Sequence, residues 1–240
     1  VDPEVIVKEY GADSARVFTL FAAPPEKELE WNMNGLAGAY RFLNRLFLLI
    51  EDTKEFSEAG EIDHGKRNNE DSEIQKKLHQ TVKKVSESME DNFHFNTAIA
   101  ALMELLNDMT SYRQKVIDTG KISSESKKIW REVMEKTVLM LSPFAPHIAD
   151  ELWSASGREG YAFLESWPEY IEELTKESKI NLVVQVNGKL RDTILADVNI
   201  PKEELEKIAL ASEKAQKFLE GKEIVKVVVV PNKLVNIVVK

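Results

Sequence analysis

The chain has 240 residues, of which 43% are hydrophobic, and it carries a formal net charge of −9. That apolar content is sufficient for a substantial core and excludes a disordered protein. No apolar run approaches the roughly 20 residues that span a bilayer, and the first residues show no leader pattern, so we expect a soluble, cytoplasmic protein. The chain has no cysteine, which excludes disulfides, a thiolate nucleophile and zinc sites with cysteine ligands.

The N-terminal segment predicts two short helices. Asp2 is a candidate N-cap with Pro3 at the first helical position, and Gly11 ends the first helix. The second helix begins near Asp13 and ends before the proline pair at 24–25, because proline cannot continue a helix.

Longer helices follow, because apolar residues recur at helical spacing after Trp31. The helix after Trp31 is apolar around much of its circumference, so we expect it to be central. Residues 58–71 are polar and predict a loop. Ser72 begins the next helix with a capping box to Gln75.

Two further helices are predicted, one from Asn96 to Gly120 and one from Ser124. Pro143 and Pro146 break the latter before it resumes at 148–154. Short connections between long helices predict an antiparallel helical bundle.

The C-terminal residues predict a small ββαββ module. Ile180 to Val198 predicts a hairpin around Asn187-Gly188, Pro201 to Leu219 a helix, and Ile224 to Val239 a second hairpin around Pro231-Asn232. The whole chain is therefore expected to be mainly α, a helical bundle followed by a small α+β domain. We expect one face of the sheet to be covered by Leu205, Ile208, Ala209 and Phe218.

The register of the first hairpin has two alternatives. A two-residue turn at Asn187-Gly188 pairs Val184 with Arg191, which sets an apolar residue against a polar one. A three-residue loop, Val186 to Gly188, followed by a bulge pairs Val184 with Leu190 instead. We therefore predict the three-residue loop.

Charge is distributed unevenly along the chain. Lys179 to Lys240 holds 11 basic and 8 acidic residues, a net charge of +3, whereas Val1 to Ser178 has a net charge of −12. A basic module on an acidic body favours contact between the module and a polyanion.

Catalytic signatures are absent from the sequence, with no phosphate-binding loop, no nucleophile elbow and no His-Glu-x-x-His motif. The adjacent acids Asp150-Glu151 and Glu203-Glu204 diverge by about 100° on a helix and do not form a catalytic pair. His147 is interpreted as a structural histidine that hydrogen-bonds a helix end. Four separated histidines cannot close a metal site, so we expect neither catalytic residues nor a metal.

Several segments carry a family resemblance: residues 10–16 (YGADSAR), 22–25 (AAPP), 38–45 (GAYRFLNR), 142–153 (SPFAPHIADELW) and 184–192 (VQVNGKLRD). The fourth is similar to a segment shared by class I aminoacyl-tRNA synthetases. The others resemble the C-terminal portion of bacterial leucyl-tRNA synthetases. The isoleucyl enzymes usually end in a cysteine-ligated zinc module and the valyl enzymes in a coiled coil, and this sequence supports neither.

The resemblance implies a bundle of the anticodon-binding type that positions leucine tRNA by its shape. It implies a junction at residues 1–30, the bundle at 31–171, a linker at 172–178 and a tRNA-contacting domain at 179–240. In this family the catalytic and editing domains lie upstream, so ATP and magnesium belong to the whole enzyme. We expect these 240 residues to hold no cofactor and to be inactive alone. The sequence leaves open whether the upstream domains share this polypeptide or form a separate subunit.

Candidate tRNA contacts follow from the charge distribution and the resemblance together. Lys189 and Arg191 lie two apart on one predicted strand, so we expect them to project to the same side. A protein-interaction module is the alternative, and salt dependence separates the two because RNA binding weakens steeply with salt. The candidate contacts are Asn187, Lys189, Arg191, Lys226 and Lys233 in the module, and Arg41, Asn44 and Arg45 in the bundle.

Overall fold

The computed structural model describes residues 2–23, 28, 30–90, 93–176, 179–198 and 200–240. The chain divides into two compact units, Val1–Thr175 and Lys176–Lys240, which we call the first unit and the tail unit. None of the described helices combines the length and apolar content needed to cross a membrane.

The first unit is helical, and its large core is built from one face of each long helix. Trp130, Phe18 and Phe144 are its largest fully buried side chains. The helix expected to be central, α3, packs against α1, α2, α5 and α7. The helices are α1 (Pro3–Tyr10), α2 (Ala12–Ala22), α3 (Met33–Thr53), α4 (Asn69–Glu90), α5 (Phe95–Tyr112), α6 (Ser124–Leu141), α7 (Pro146–Ala155) and α8 (Glu172–Thr175).

Local signals placed most helix ends correctly. The Asp2 carboxylate accepts a hydrogen bond from the Glu4 N–H at 2.9 Å, and Gly11 ends α1 with φ of 82°. Pro146 opens α7 after the predicted break. The proline pair expected to end α2 lies outside the described residues.

The predicted start of α4 at Ser72 is wrong. Asn68 Oδ1 accepts from the Asp71 N–H at 2.7 Å, and Asp71 Oδ2 accepts from the Asn68 N–H at 3.1 Å. These reciprocal bonds form the capping box, so α4 begins at Asn69. The Ser72 hydroxyl instead donates to the Asn68 carbonyl, and the Gln75 side chain is engaged elsewhere.

The tail unit is a four-stranded sheet with two short helices on one face. Its strand order is β2-β1-β4-β3, with β1 and β4 parallel at the centre and an antiparallel hairpin on each side. The predicted single helix is two helices, because Ser212 caps a second one. The elements are β1 (Lys179–Val186), β2 (Lys189–Asp197), α9 (Lys202–Leu210), α10 (Glu213–Gln216), β3 (Ile224–Val230) and β4 (Leu234–Val239).

The predicted three-residue loop between β1 and β2 is wrong. Val186 pairs with Lys189, so the turn is the two residues Asn187 and Gly188. Their φ angles are 50° and 75°. A two-residue turn with both residues at positive φ matches the twist of a hairpin.

A bulge in β2 resolves the mismatch of apolar and polar residues. Gln185 pairs with Leu190, but Val184 pairs with Asp192, which leaves Arg191 without a partner in the ladder. The extra residue reverses the alternation beyond that point. Apolar residues of β2 therefore return to the covered face without a longer loop.

Residues Glu172–Thr175, expected to lie in a linker, form a helical turn of the first unit.

The tail unit has its own apolar core. We therefore predict that residues 176–240 fold alone. A cooperative thermal transition and dispersed amide resonances from that fragment are the expected result, and a collapsed amide spectrum contradicts it. The core residues are Leu182, Val184, Val186, Ala196, Leu205, Ala209, Ala215, Val235, Ile237 and Val239.

Candidate nucleic-acid interface

One face of the tail sheet is covered by helices and the other is open. Leu190 and Leu195 on the open face are 61% and 62% exposed. Lys226 pairs with Val238, between the buried Ile237 and Val239, and so lies on this open face. Lys226 is exposed and so is accessible to a partner.

The candidate lysines of the tail unit, Lys189, Lys226 and Lys233, do not form one patch. Lys189 is exposed and pairs with the buried Val186, which places it at the tip of the hairpin on the covered side. Lys233 precedes β4, whereas the turn at Asn187 follows β1. Because β1 and β4 are parallel, Lys233 and Lys189 lie at opposite ends of the sheet.

Arg191 packs within the module. Its guanidinium carbon lies 3.7 Å from the centroid of the Phe218 ring, and its Nε is buried without a hydrogen-bond partner. The bulge also interrupts the alternation on which the expected common orientation with Lys189 rested. Phe218, expected to cover the sheet, instead packs against the Arg191 guanidinium and is 36% exposed. A stacked guanidinium of this kind stabilises the fold through cation–π contact.

Asp192, next to the bulge, ties β2 to α10. Its carboxylate accepts from the Ser212 hydroxyl at 2.7 Å and from Lys214 Nζ at 3.0 Å. These hydrogen bonds lower the pKa of Asp192 below its ordinary value, and the bond from the Ser212 hydroxyl has the largest effect. The bulge is thus held in place by a charged group, through contacts that no local sequence pattern indicates.

Asn187 has a structural role in the sheet. Its side-chain amide donates to the Val239 carbonyl at 3.0 Å and accepts from the Val239 N–H at 2.9 Å. The neighbouring Gly188 N–H donates to Asn236 Oδ1 at 3.0 Å. The amide therefore extends the pairing of β1 with β4 beyond the last backbone pair.

We predict that Asn187→Ala lowers the free energy of unfolding of the tail unit by about 1–3 kcal/mol, because it removes two hydrogen bonds and strains a residue at positive φ. Asn187→Gly is the matched variant, since glycine tolerates the backbone but lacks the amide. Thermal unfolding of the tail unit measures both. An alanine variant as stable as the parent contradicts the structural role.

The bundle candidates Arg41, Asn44 and Arg45 lie on the exposed stripe of α3. Arg45 Nη2 donates to Asn107 Oδ1 at 3.2 Å. The arginines that pair with carboxylates in the first unit are Arg113, Arg131 and Arg158, and no described carboxylate pairs with Arg41 or Arg45.

The three candidates face two different recesses. Arg41 and Arg45 border a groove of about 430 Å³ between α3 and the helices α2 and α5. Asn44 borders a separate cleft of about 300 Å³ beside Tyr40 and His147. The structure therefore brings the two arginines together and sets Asn44 apart.

His147 contributes to helix capping through a partner that the sequence did not reveal. Its Nδ1 lies 2.8 Å from Asp13 Oδ1, and Asp13 Oδ2 accepts from the Ile148 N–H at 2.7 Å. Asp13 is 5% exposed and caps α7 from a distance in sequence. Among the described residues, no group of three or more potential ligands could hold a metal ion.

Comparison with known proteins identifies the family. A model for the anticodon-binding domain of tRNA ligase matches residues 71–210. Curated leucine–tRNA ligases from Fusobacterium nucleatum and Thioalkalivibrio sulfidiphilus are 47% and 45% identical over the whole chain. The chain spans 28% of the length of each.

Comparison with solved structures also indicates a leucyl-tRNA synthetase. The Agrobacterium radiobacter K84 agnB2 LeuRS, crystallised in a ternary complex with tRNA and LeuAMS, matches the whole chain with a TM-score of 0.76 and 34% identity; the match covers 30% of that chain. The apo methionyl-tRNA synthetase of Mycobacterium tuberculosis shares only the fold, with a TM-score of 0.53 and 16% identity over 68% of this chain and 36% of its own. The chain belongs to the anticodon-binding domain family of tRNA ligases and corresponds to a C-terminal portion of leucyl-tRNA synthetases.

Proposed function

We propose that the chain is the tRNA-binding part of a cytoplasmic leucine–tRNA ligase. It positions leucine tRNA for ATP-dependent aminoacylation by a catalytic domain upstream, which uses ATP and magnesium. The observation that carries the proposal is the match over the whole chain to leucine–tRNA ligases and to a LeuRS crystallised with tRNA.

Exposed cations on both units support this proposal. Backbone contacts at separated points position a large folded RNA without base-specific pockets. Two of the candidates already make contacts within the tail unit, because the Asn187 amide hydrogen-bonds to Val239 and the Arg191 guanidinium lies over the Phe218 ring. The remaining contacts are Lys189, Lys226 and Lys233 in the tail unit, and Arg41 and Arg45 with Asn44 in the first unit.

Salt dependence of binding tests the function. If all five cationic candidates contact phosphates, log affinity for a leucine tRNA transcript should fall against log salt with a slope of about −3.5 to −4.5. A filter-binding or anisotropy titration over a range of salt concentrations measures it. Absence of binding at low salt contradicts the proposal, and salt-insensitive binding to a polypeptide favours the interaction-module alternative.

Charge reversal in the tail unit locates the contacts. We predict that Lys189→Glu, Lys226→Glu and Lys233→Glu together reduce the slope by about 2–3 and the affinity by about tenfold or more. The matched control combines Lys207→Glu, Lys217→Glu and Lys222→Glu, which change the net charge equally at other exposed positions of the module. Equal losses from both triples would mean that only the net charge of the module matters.

A further inference from the structure

Two glycines of α3, Gly35 and Gly38, border the same groove as Arg41 and Arg45. The first has an internal explanation. A Cβ atom at Gly35 would lie 2.8 Å from Cε2 of Phe18, a ring that is 2% exposed and packed edge-on against Trp31. The fold therefore requires a glycine at this position.

Gly38 has no such explanation. A Cβ atom there would meet nothing closer than Nη2 of Arg41, at 3.9 Å, which is an ordinary van der Waals distance. Glycine in the interior of a helix is less favourable than alanine because it loses more backbone freedom on folding. The isolated fold would thus be more stable with alanine at position 38.

The groove at Gly38 has the charge of an anion-binding surface. Its described lining includes two arginines and no acidic residue, although residues 1–178 carry a net charge of −12. The Asn107 side chain holds the Arg45 guanidinium at the rim. Buried apolar side chains, among them Phe42 and Leu106, form an apolar floor of the groove.

We propose that a stretch of the tRNA sugar–phosphate backbone lies in this groove against Gly38. Arg41 and Arg45 bind its phosphates, and the apolar floor receives the ribose carbons. The missing Cβ lets a ribose approach the helix backbone closely. This inference rests on the proposed function and adds a specific contact to it.

The test rests on two effects of Gly38→Ala in the full chain, on thermal stability and on tRNA affinity, that are expected to have opposite signs. Gly38→Ala should raise the melting temperature of the first unit by about 2–4 °C. The same change should lower affinity for a leucine tRNA transcript by about tenfold. Hydroxyl-radical footprinting should show a short run of protected riboses that Gly38→Ala exposes.

Gly35→Ala is the contrasting variant, because it should lower the melting temperature through contact with Phe18. A second comparison, in an Arg41→Ala background, tests whether the Cβ atom at position 38 affects the RNA directly or only by displacing Arg41. If Gly38→Ala has no effect on affinity in an Arg41→Ala background, the glycine serves only to place Arg41 and the inference is overturned.

The remaining outcomes distinguish the inference from the proposed function. Tight binding by the parent chain with unchanged affinity and footprint in Gly38→Ala overturns the groove contact alone. A parent chain that does not bind leucine tRNA overturns both. Weaker binding by a more stable variant supports the close approach, since no loss of folding can account for it.

Discussion

Replacing Asp71 with alanine is expected to lower the free energy of unfolding of the first unit by about 3 kcal/mol or more. Asp71 is fully buried. Its carboxylate accepts from the Tyr112 hydroxyl at 2.6 Å, from the Ser126 hydroxyl at 3.0 Å and from the Asn68 N–H at 3.1 Å. The variant leaves these donors buried or half-buried without their acceptor, which costs more than the bonds themselves contribute.

Tyr112 shows how the network can be dissected. Burial, and then its hydrogen bond to Asp71, raise the pKa of Tyr112 far above its ordinary value, so the phenol remains a donor. Asp71→Ala with Tyr112→Phe should therefore cost less than the sum of the single changes.

Urea unfolding followed by tryptophan fluorescence measures the loss, because all four tryptophans lie in the first unit. Glu73→Ala is the control, an exposed acid on the same helix that should change stability by less than about 0.5 kcal/mol. An Asp71→Ala variant as stable as this control would show that the network contributes nothing.

The second large effect on stability is expected from Glu132, a residue of α6 that contacts Gln75 and His79 of α4. Burial favours its neutral form, but contacts with His79, Lys136 and Gln75 outweigh burial and lower the pKa of Glu132 from 4.5 to about 2. Gln75 Nε2 and Lys136 Nζ each lie 2.9 Å from its carboxylate, and His79 Nε2 lies at 3.5 Å.

A carboxyl whose pKa is lower in the folded state stabilises the fold above its unfolded pKa and loses that contribution as the pH falls. Glu132 should therefore contribute up to about 3 kcal/mol above pH 4.5 that disappears towards pH 2. Glu132→Gln should lower stability at neutral pH and flatten the acid limb of the stability curve.

Unfolding free energies measured from pH 7 down to pH 2 test this expectation. Glu151→Gln, on an exposed position of α7, is the matched neutralisation and should leave the acid limb unchanged. If Glu132→Gln and the parent lose stability in parallel over this range, Glu132 is not the group that titrates.

Local sequence signals predicted the helices well and the long-range polar contacts poorly. Apolar spacing and prolines such as Pro146 marked the bundle because each acts within a few residues. Asp71 and Asp13 gave no such signal, since their partners lie far along the chain and are brought close only by packing. The start of α4 was misplaced because Ser72 and Asn68 both offer plausible capping boxes.

The candidate site was only partly predictable, for a similar reason. Charge distribution indicated the basic module, and the family resemblance suggested Arg41, Asn44 and Arg45 as candidates in the bundle. The side-chain hydrogen bonds of Asn187 to Val239 depend on the pairing of β1 with β4, which two separate hairpins do not specify. Alternation along a strand is informative only until a bulge reverses it.

The position of β4 has a consequence for synthesis of the protein. β4 follows the other strands of the sheet in sequence, yet it pairs with both β1 and β3 near the centre. On the ribosome, the first hairpin must wait for residues 234–239 before its inner edge is paired, and a lone hairpin is only marginally stable. Until then β1 presents an open apolar edge, so the nascent tail passes through an aggregation-prone state that ends only when β4 arrives.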